Sequence, residues 1–332
     1  MRKIIKFNRG LIIGKFYPPH KGHKYLIDYA CSRVKKLTVI VCENETYKIP
    51  GELRFDWLKK IHPNVEFILY RYNLKDLSDD DTEGWAKVTK KIINFKPDIV
   101  FSSEEYGYRW AELLGSRHIL VDIERKNISI SGSAIRKDPY KYWNFLEAPV
   151  KHYFLKRVCV LGAESTGTTT LAKSLAEVYH TQWVPEYGRE YCEKVLGVKL
   201  FEHKWREEEF LHIARQQNIL EEKYSKSANK ILICDTNSFA TTVWCERYTG
   251  KWSKKVEKIS DGRKYDLYIL TKDDIPFVQD GTRDGRRIRH SMHLTFLKLL
   301  KERKEKYIIV SGNHKKRLKT SIDFINNNLF KQ

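Results

Sequence analysis

Short apolar runs alternate along this chain with longer stretches whose apolar positions recur at helical spacing. In the first half the strand-like runs fall at residues 10–16, 37–41, 65–70, 98–102 and 118–121, with helix-like stretches at 24–34, 53–61, 84–95 and 110–114 between them. Runs this short have strand length, and their alternation with amphipathic segments predicts parallel strands covered by helices on both faces. The alternation pauses at 144–152, where Ala148 and Pro149 interrupt it, and resumes with a strand at 157–161. A helix at 171–179, a long polar helix at 205–225 and strands at 231–234, 267–270 and 307–310 repeat the same grammar. The expected fold class is therefore α/β, in two domains at 1–150 and 151–332, joined near residue 150 without a low-complexity linker.

Composition agrees and narrows the class. A chain of 332 residues, 41% hydrophobic and 13% aromatic, has the material for two cores and is not disordered. No apolar run approaches the ~20 residues of a membrane helix, and the first residues lack the apolar core of a signal peptide. The six cysteines (31, 42, 159, 192, 234, 245) form no C-x-x-C pair. That excludes a disulfide scaffold and the common zinc signatures, and it fits reduced thiols in a cytoplasmic protein. Lys and Arg total 62 against 42 Asp and Glu, a net charge of +20. The basic residues are interleaved with acidic ones, as over 301–306, which suits solvated helix faces better than dedicated nucleic-acid binding.

Two segments carry chemistry. The first strand runs into Gly14, Lys15, Phe16, Tyr17, Pro18, Pro19, His20, Lys21, Gly22 and His23. The prolines are expected to hold the chain extended up to the turn. His20 and His23, three apart, are expected on one side of a first helical turn, and Gly22 to let a ligand approach the backbone. Imidazoles beside the free N–H groups of a helix start suit phosphate oxygens. Late in the same half stand Ile130, Ser131, Gly132, Ser133, Ala134, Ile135 and Arg136. There Ser131 and Ser133 offer hydroxyls and N–H groups, and Arg136 a planar donor fork.

This H-x-G-H pair with I-S-x-S-x-x-R resembles the nucleotidyltransferase superfamily, and implies a Rossmann-like first sheet. The resemblance implies adenylyl transfer from ATP without a covalent intermediate, with Mg²⁺ on the phosphates. His20, His23, Lys15 and Arg136 would stabilise charge, and Gly14, Phe16, Gly22, Ser131 and Ser133 would hold ATP. Gly14-Lys-Phe-Tyr-Pro, Ile49-Pro-Gly-Glu-Leu-Arg54, Ser102-Ser-Glu-Glu-Tyr-Gly107 and Arg136-Lys-Asp-Pro-Tyr-Lys-Tyr-Trp143 look like the NadR family. That family adenylates nicotinamide mononucleotide to NAD, and Trp85 would stack on the nicotinamide ring. Arg54 and Trp57 read as a helix-surface pair outside the site. Some NadR proteins carry an N-terminal helix-turn-helix domain and act as DNA-binding regulators; here a strand begins by Gly10, so no such domain is expected.

The second segment, Gly162-Ala-Glu-Ser-Thr-Gly-Thr-Thr-Thr170, follows a strand and precedes a helix in the frame of a P-loop, whose N–H groups cradle phosphates. Gly162, Glu164, Ser165, Gly167, Thr168, Thr169 and Thr170 are the expected ATP contacts, but Thr168 holds the lysine position. Thr169 stands where a hydroxyl meets Mg²⁺, and Asp235 ends an apolar strand, as an acid that holds Mg²⁺ or activates a hydroxyl does. Trp183-Val-Pro-Glu-Tyr-Gly-Arg-Glu190, Asp235-Thr-Asn-Ser-Phe-Ala-Thr-Thr-Val-Trp244 and Phe277-Val-Gln-Asp-Gly-Thr-Arg283 also resemble NadR, whose second domain is a P-loop ribosylnicotinamide kinase. That implies Glu186 and Arg189 on nicotinamide riboside, a lid carrying Arg283, Arg286 and Arg287, and assembly into a homo-oligomer. Two readings of Thr168 stay open: a lid arginine supplies the missing charge and the kinase works, or the second domain only senses nucleotide or serves as a scaffold.

Overall fold

The computed structural model describes residues 6–196, 203–279 and 285–330. The chain divides into two compact units, Met1–Phe154 and Leu155–Gln332. In the first, β1 (Phe7–Gly14), β2 (Val34–Glu43), β3 (Glu66–Arg71), β4 (Ile99–Ser102) and β5 (Arg117–Leu120) form a parallel sheet ordered β3-β2-β1-β4-β5. The crossovers are α1 (Lys21–Cys31), α2 (Gly51–Ile61), α3 (Thr82–Ile92) and α4 (Tyr106–Leu114), and α5 (Gly132–Lys137) and α6 (Ala148–Phe154) follow the sheet. β1 is buried on both faces. Ile12 packs with Leu26 and Ile27 of α1, while Leu11 and Ile13 pack with Trp85 and Trp110 of α3 and α4, as a central parallel strand requires.

In the second unit β6 (Lys156–Leu161), β7 (Trp183–Val184), β8 (Ile231–Asp235), β9 (Leu267–Thr271) and β10 (Tyr307–Val310) form a parallel sheet ordered β10-β9-β6-β8-β7. Its helices are α7 (Thr168–Val178), α8 (Tyr187–Tyr191), α9 (Glu207–Ser225), α10 (Ser238–Thr249), α11 (Lys254–Asp261), α12 (Arg289–Glu302) and α13 (His314–Ile325). Both sheets reverse winding direction at a central strand, β1 or β6, and ligands of open parallel sheets bind beyond the carboxyl ends of such strands. Among the described residues no helix is long and apolar enough to cross a membrane.

Several boundaries differ from the sequence pattern. β1 ends at Gly14, not residue 16, and Val34 opens β2 instead of closing α1. The starts of α1 and α3 lie upstream of their first apolar positions because capping fixes them. Asp81 accepts the Gly84 N–H at 2.8 Å, so α3 begins at Thr82. Pro149 does not break the chain; it sits in the first turn of α6, where a missing N–H leaves no helical bond unmade.

Candidate active sites

The first site is built where β1 ends. Phe16 has φ +46°, which turns the chain sharply, and its ring is 2% exposed within the core. The segment before the histidines is therefore bent, not extended. His20 is the N-cap of α1, one residue outside the helix, and its Nδ1 accepts the His23 N–H at 3.4 Å. The two imidazoles do meet, stacked with centroids 3.7 Å apart. A Cβ on Gly22 would lie 3.0 Å from the His20 ring, so the glycine makes room for that ring, not for a ligand as its position suggested. Burial, aided by the charge of Arg125, lowers the His20 pKa to about 4. Burial, His20 and Arg125 together hold His23 well below the ordinary histidine value. Both rings are thus neutral N–H donors at neutral pH.

The second motif closes on this turn. Ser131 caps α5 by accepting the Ala134 N–H at 3.1 Å. Arg136 donates to the Tyr17 carbonyl at 2.6 Å and to Ser133 Oγ at 3.1 Å, with its guanidinium 4.5 Å from the centroid of the Tyr17 ring. A Cβ on Gly132 would stand 2.6 Å from the Tyr17 carbonyl oxygen, so the approach of the two motifs requires glycine there.

Lys15 pairs with Asp79 at 2.6 Å, and Asp79 also accepts the Tyr72 hydroxyl, itself bonded by Asn44 at 2.8 Å. Burial opposes the Lys15 charge, but Asp79 and Tyr47 outweigh it and raise the pKa. Arg54 and Trp57 are no surface pair, being 0% and 3% exposed. Arg54 donates to the carbonyls of Ile49 (3.1 Å), Cys42 (3.0 Å) and Lys15, fixing the turn that carries Lys15. Trp85 is 9% exposed, bonds the Ser78 carbonyl through Nε1 at 3.0 Å and packs edge-on against Tyr72. Most of its indole is core.

These elements enclose a cavity of about 490 Å³, ordinary for a small-ligand site. Gly14, Lys15, Phe16, His23, Trp85, Ser131, Ser133 and Arg136 all line it, whereas His20 and Gly22 stand behind its wall. Arg125, Tyr106 and Asp79 line it too and were not singled out from sequence. Arg125 sits in an exposed, polar stretch that resembles any loop.

In the second unit β6 runs into the P-loop and α7. Gly167 has φ +80° and Ser165 φ +57°. The loop is held from outside by arginines the sequence pattern did not mark. Arg317 of α13 donates to the carbonyls of Thr166 (2.5 Å), Gly312 (2.8 Å) and Lys272 (2.9 Å). Arg289 of α12 donates to the carbonyls of Ser165 (3.1 Å) and Ile275 (3.0 Å).

A cavity of about 320 Å³ opens on the loop, lined by Gly162, Glu164, Ser165, Gly167, Thr168, Thr169, Thr170, Glu186 and Arg189, and by the aromatic side chains Trp205, Phe210, Trp244 and Tyr248. The Glu164 side chain is engaged within the protein. Its carboxylate bonds Arg247 at 2.7 Å and the Gly285 N–H at 2.6 Å, tying the loop to the following segment. Ser165 Oγ likewise accepts the Val278 N–H at 2.8 Å. Arg286 and Arg287 are exposed in a turn before α12; Asp280 and Arg283 lie outside the described residues.

Asp235 is 1% exposed at the end of β8, with both carboxylate oxygens shut off from solvent. Burial raises its pKa to about 6, against the pull of Thr169, Thr168, Arg189 and Lys173. The Thr169 hydroxyl and this carboxylate are hard oxygen donors of the kind Mg²⁺ takes when phosphate and water complete its shell. Among the described residues no group of three or more His, Cys, Asp or Glu could hold a metal by itself.

Comparison with known proteins gives first the class. A cytidylyltransferase-like family model matches residues 11–138 and an AAA-domain model residues 157–317, so a nucleotidyltransferase-like domain precedes a P-loop domain. The trifunctional NAD biosynthesis/regulator protein NadR of Escherichia coli is 32% identical over 295 residues, covering 82% of this chain and 71% of that protein. Its counterpart in Salmonella typhimurium is 30% identical over 326 residues, 91% of this chain and 78% of the relative. The chain belongs to the NadR family of NAD-biosynthesis proteins. Crystal structures of NadR protein, one in complex with NAD and AMP-PNP and one with NR, share the fold at a TM-score of 0.75 and 21% identity, covering 99% and 100% of this chain and 98% and 99% of theirs.

Proposed function

We propose that the first unit transfers an adenylyl group from ATP to nicotinamide mononucleotide. A phosphate oxygen of the mononucleotide attacks the α-phosphorus, the bond to the bridging oxygen breaks, and NAD and pyrophosphate result. No side chain becomes covalently attached. Catalysis is positioning plus charge stabilisation: His23 acts as a neutral donor with its ring held by His20 stacked behind it, while Lys15, Arg136 and Arg125 carry the positive charge. The Lys15–Asp79 pair is exposed enough for a triphosphate to draw Lys15 away. When bound, Mg²⁺ neutralises phosphate charge. The observation that carries this reading is the joining of the two motifs on one cavity by Arg136 and the Tyr17 carbonyl, 2.6 Å apart.

In the second unit we infer phosphorylation of nicotinamide riboside by ATP. Thr169 and Asp235 would hold Mg²⁺ at the loop, and Asp235, which stands behind the cavity wall, would accept the proton of the attacking hydroxyl. The aromatic wall of Trp205, Trp244 and Tyr248 suits a flat cationic ring, and Glu186 a ribose hydroxyl. A second reading, nucleotide binding without turnover, is favoured by Thr168 alone. Purified protein given ATP, Mg²⁺ and nicotinamide mononucleotide is expected to form NAD and pyrophosphate, and no NAD would end the first proposal. Given the riboside, it is expected to form mononucleotide; ATP binding without mononucleotide would select the second reading.

A further inference from the structure

A threonine in the lysine position removes a positive charge from beside the β- and γ-phosphates, and a kinase has to obtain it from elsewhere. The arginines that touch the loop do so from outside. Arg317 and Arg289 hold its carbonyls, and Arg247 is held against Glu164 by a 2.7 Å ion pair. None of the three lines the cavity. Among the described residues that do, Arg189 is the one cation.

Its position follows from the strand register. β7 pairs with β8 so that Val184 lies opposite Cys234, and Asp235 is the next residue on β8. The chain beyond Val184 therefore continues past the end of the strand that carries Asp235. It turns at Glu186 into α8, which holds Arg189. Gln217, 1% exposed on α9, fixes that turn by accepting the Tyr187 N–H at 2.8 Å and donating to the Pro185 carbonyl at 3.3 Å. Arg189 Nε donates to Glu193 at 2.9 Å, a half-exposed carboxylate that a polyphosphate can displace. The field of Arg189 already reaches Asp235, whose carboxylate it stabilises.

We propose that Arg189 supplies, from the wall facing the P-loop, the charge that Thr168 cannot, and is a catalytic residue of riboside phosphorylation. This reassigns it from the riboside-holding role its sequence context suggested, and it rests on the kinase reading of the second unit. An arginine reaching in from another element is a recognised way to stabilise a transferring phosphoryl group, because the planar fork binds two oxygens at once.

The test uses the full chain and four proteins: wild type, Arg189→Ala, Thr168→Lys and the double variant. Arg189→Ala is expected to lower kcat for riboside phosphorylation about 10²–10³-fold, with KM for the riboside changing less than about threefold. Thr168→Lys alone should change little, and in the double variant it should restore kcat to within about tenfold of wild type. NAD formation from mononucleotide in the same samples checks folding. Wild-type turnover in Arg189→Ala would overturn the proposal, as would a loss that appears in riboside KM and is not rescued. If wild type itself makes no mononucleotide, the kinase reading fails, and AMP-PNP affinity with excess NAD occupying the first cavity decides. Weakening by Arg189→Ala that Thr168→Lys reverses supports the charge assignment, and unchanged affinity rejects it.

Discussion

His20 holds two jobs that one substitution separates. Its Nδ1 caps α1, and its ring stacks behind His23. His20→Asn keeps an excellent cap and removes the imidazole, so at about pH 8 the unfolding free energy should stay within about 1 kcal/mol of wild type. The acid side differs. The folded pKa of His20 is depressed to about 4 from the ordinary 6.5. A depressed pKa contributes stability that is present above the unfolded value and lost as pH falls through the folded one. Over the full window that is about 3 kcal/mol, and about 2 kcal/mol is already gone by about pH 5. Wild type should therefore lose stability between about pH 6.5 and 5 faster than the variant, a gap of roughly 4–8 °C in midpoint for a domain this size. Activity should move the other way: removal of the ring is expected to cost about 10²–10³ in kcat/KM for NAD formation. The checks are thermal unfolding of both proteins from about pH 8 to 5 and a coupled assay for NAD. Parallel stability curves would refute the neutral-imidazole argument, and activity within about threefold of wild type would reduce His20 to a cap.

Three further outcomes are expected. Arg54→Met should cost roughly 3–5 kcal/mol, since it strips a fully buried donor from the carbonyls of Ile49, Cys42 and Lys15, two of these bonds being wholly buried, and leaves Glu43 only its pairing with Arg71; chemical denaturation measures this, and a cost under about 1 kcal/mol would contradict it. Glu221 is 0% exposed, and burial raises its pKa to about 7 despite Arg263 and the 2.6 Å bond from Tyr265. Its contribution is therefore present below the ordinary carboxylate value and lost as pH rises through about 7. Wild type should lose about 2 kcal/mol between about pH 5.5 and 8, and Glu221→Gln should flatten that slope in a denaturation series. Trp244→Ala, which removes one aromatic wall of the second cavity, should raise riboside KM about tenfold with NAD formation from mononucleotide unchanged; an unaltered KM would move the riboside elsewhere.

What the sequence disclosed and what it hid divide along range. The central strands and both phosphate loops were legible because each is a local pattern: an apolar run, then a glycine-bearing turn, then a helix start. β7, two residues long, has no period to detect. α10 buries Thr241 and Thr242 beside Phe239 and Val243, so its polar residues mask the apolar stripe by which a helix is recognised. The buried arginines were hidden for a different reason. Arg54 reaches a carbonyl 39 residues away and Arg317 one 151 residues away, so nothing local distinguishes them from the lysines and arginines of a solvated helix face. A charged residue declares itself structural only when the carbonyls it satisfies are known.

That distinction bears on the missing P-loop lysine. A lysine at that position would act on the bound phosphates, whereas the curvature of the loop depends on its positive-φ residues and on the carbonyls that Arg289 and Arg317 hold. Shape and charge are thus supplied by different residues, and the loop can keep its form with Thr168 in place. Arg317 is 3% exposed and satisfies three carbonyls besides pairing with Asp274, so it cannot leave to serve a phosphate without orphaning buried polar groups. Arg247 is bound in the same way to Glu164. A cation meant for the ligand has to stand on the cavity wall with a partner that water or phosphate can replace. The exposed pairing of Arg189 with Glu193 meets that condition, and the buried pairings do not.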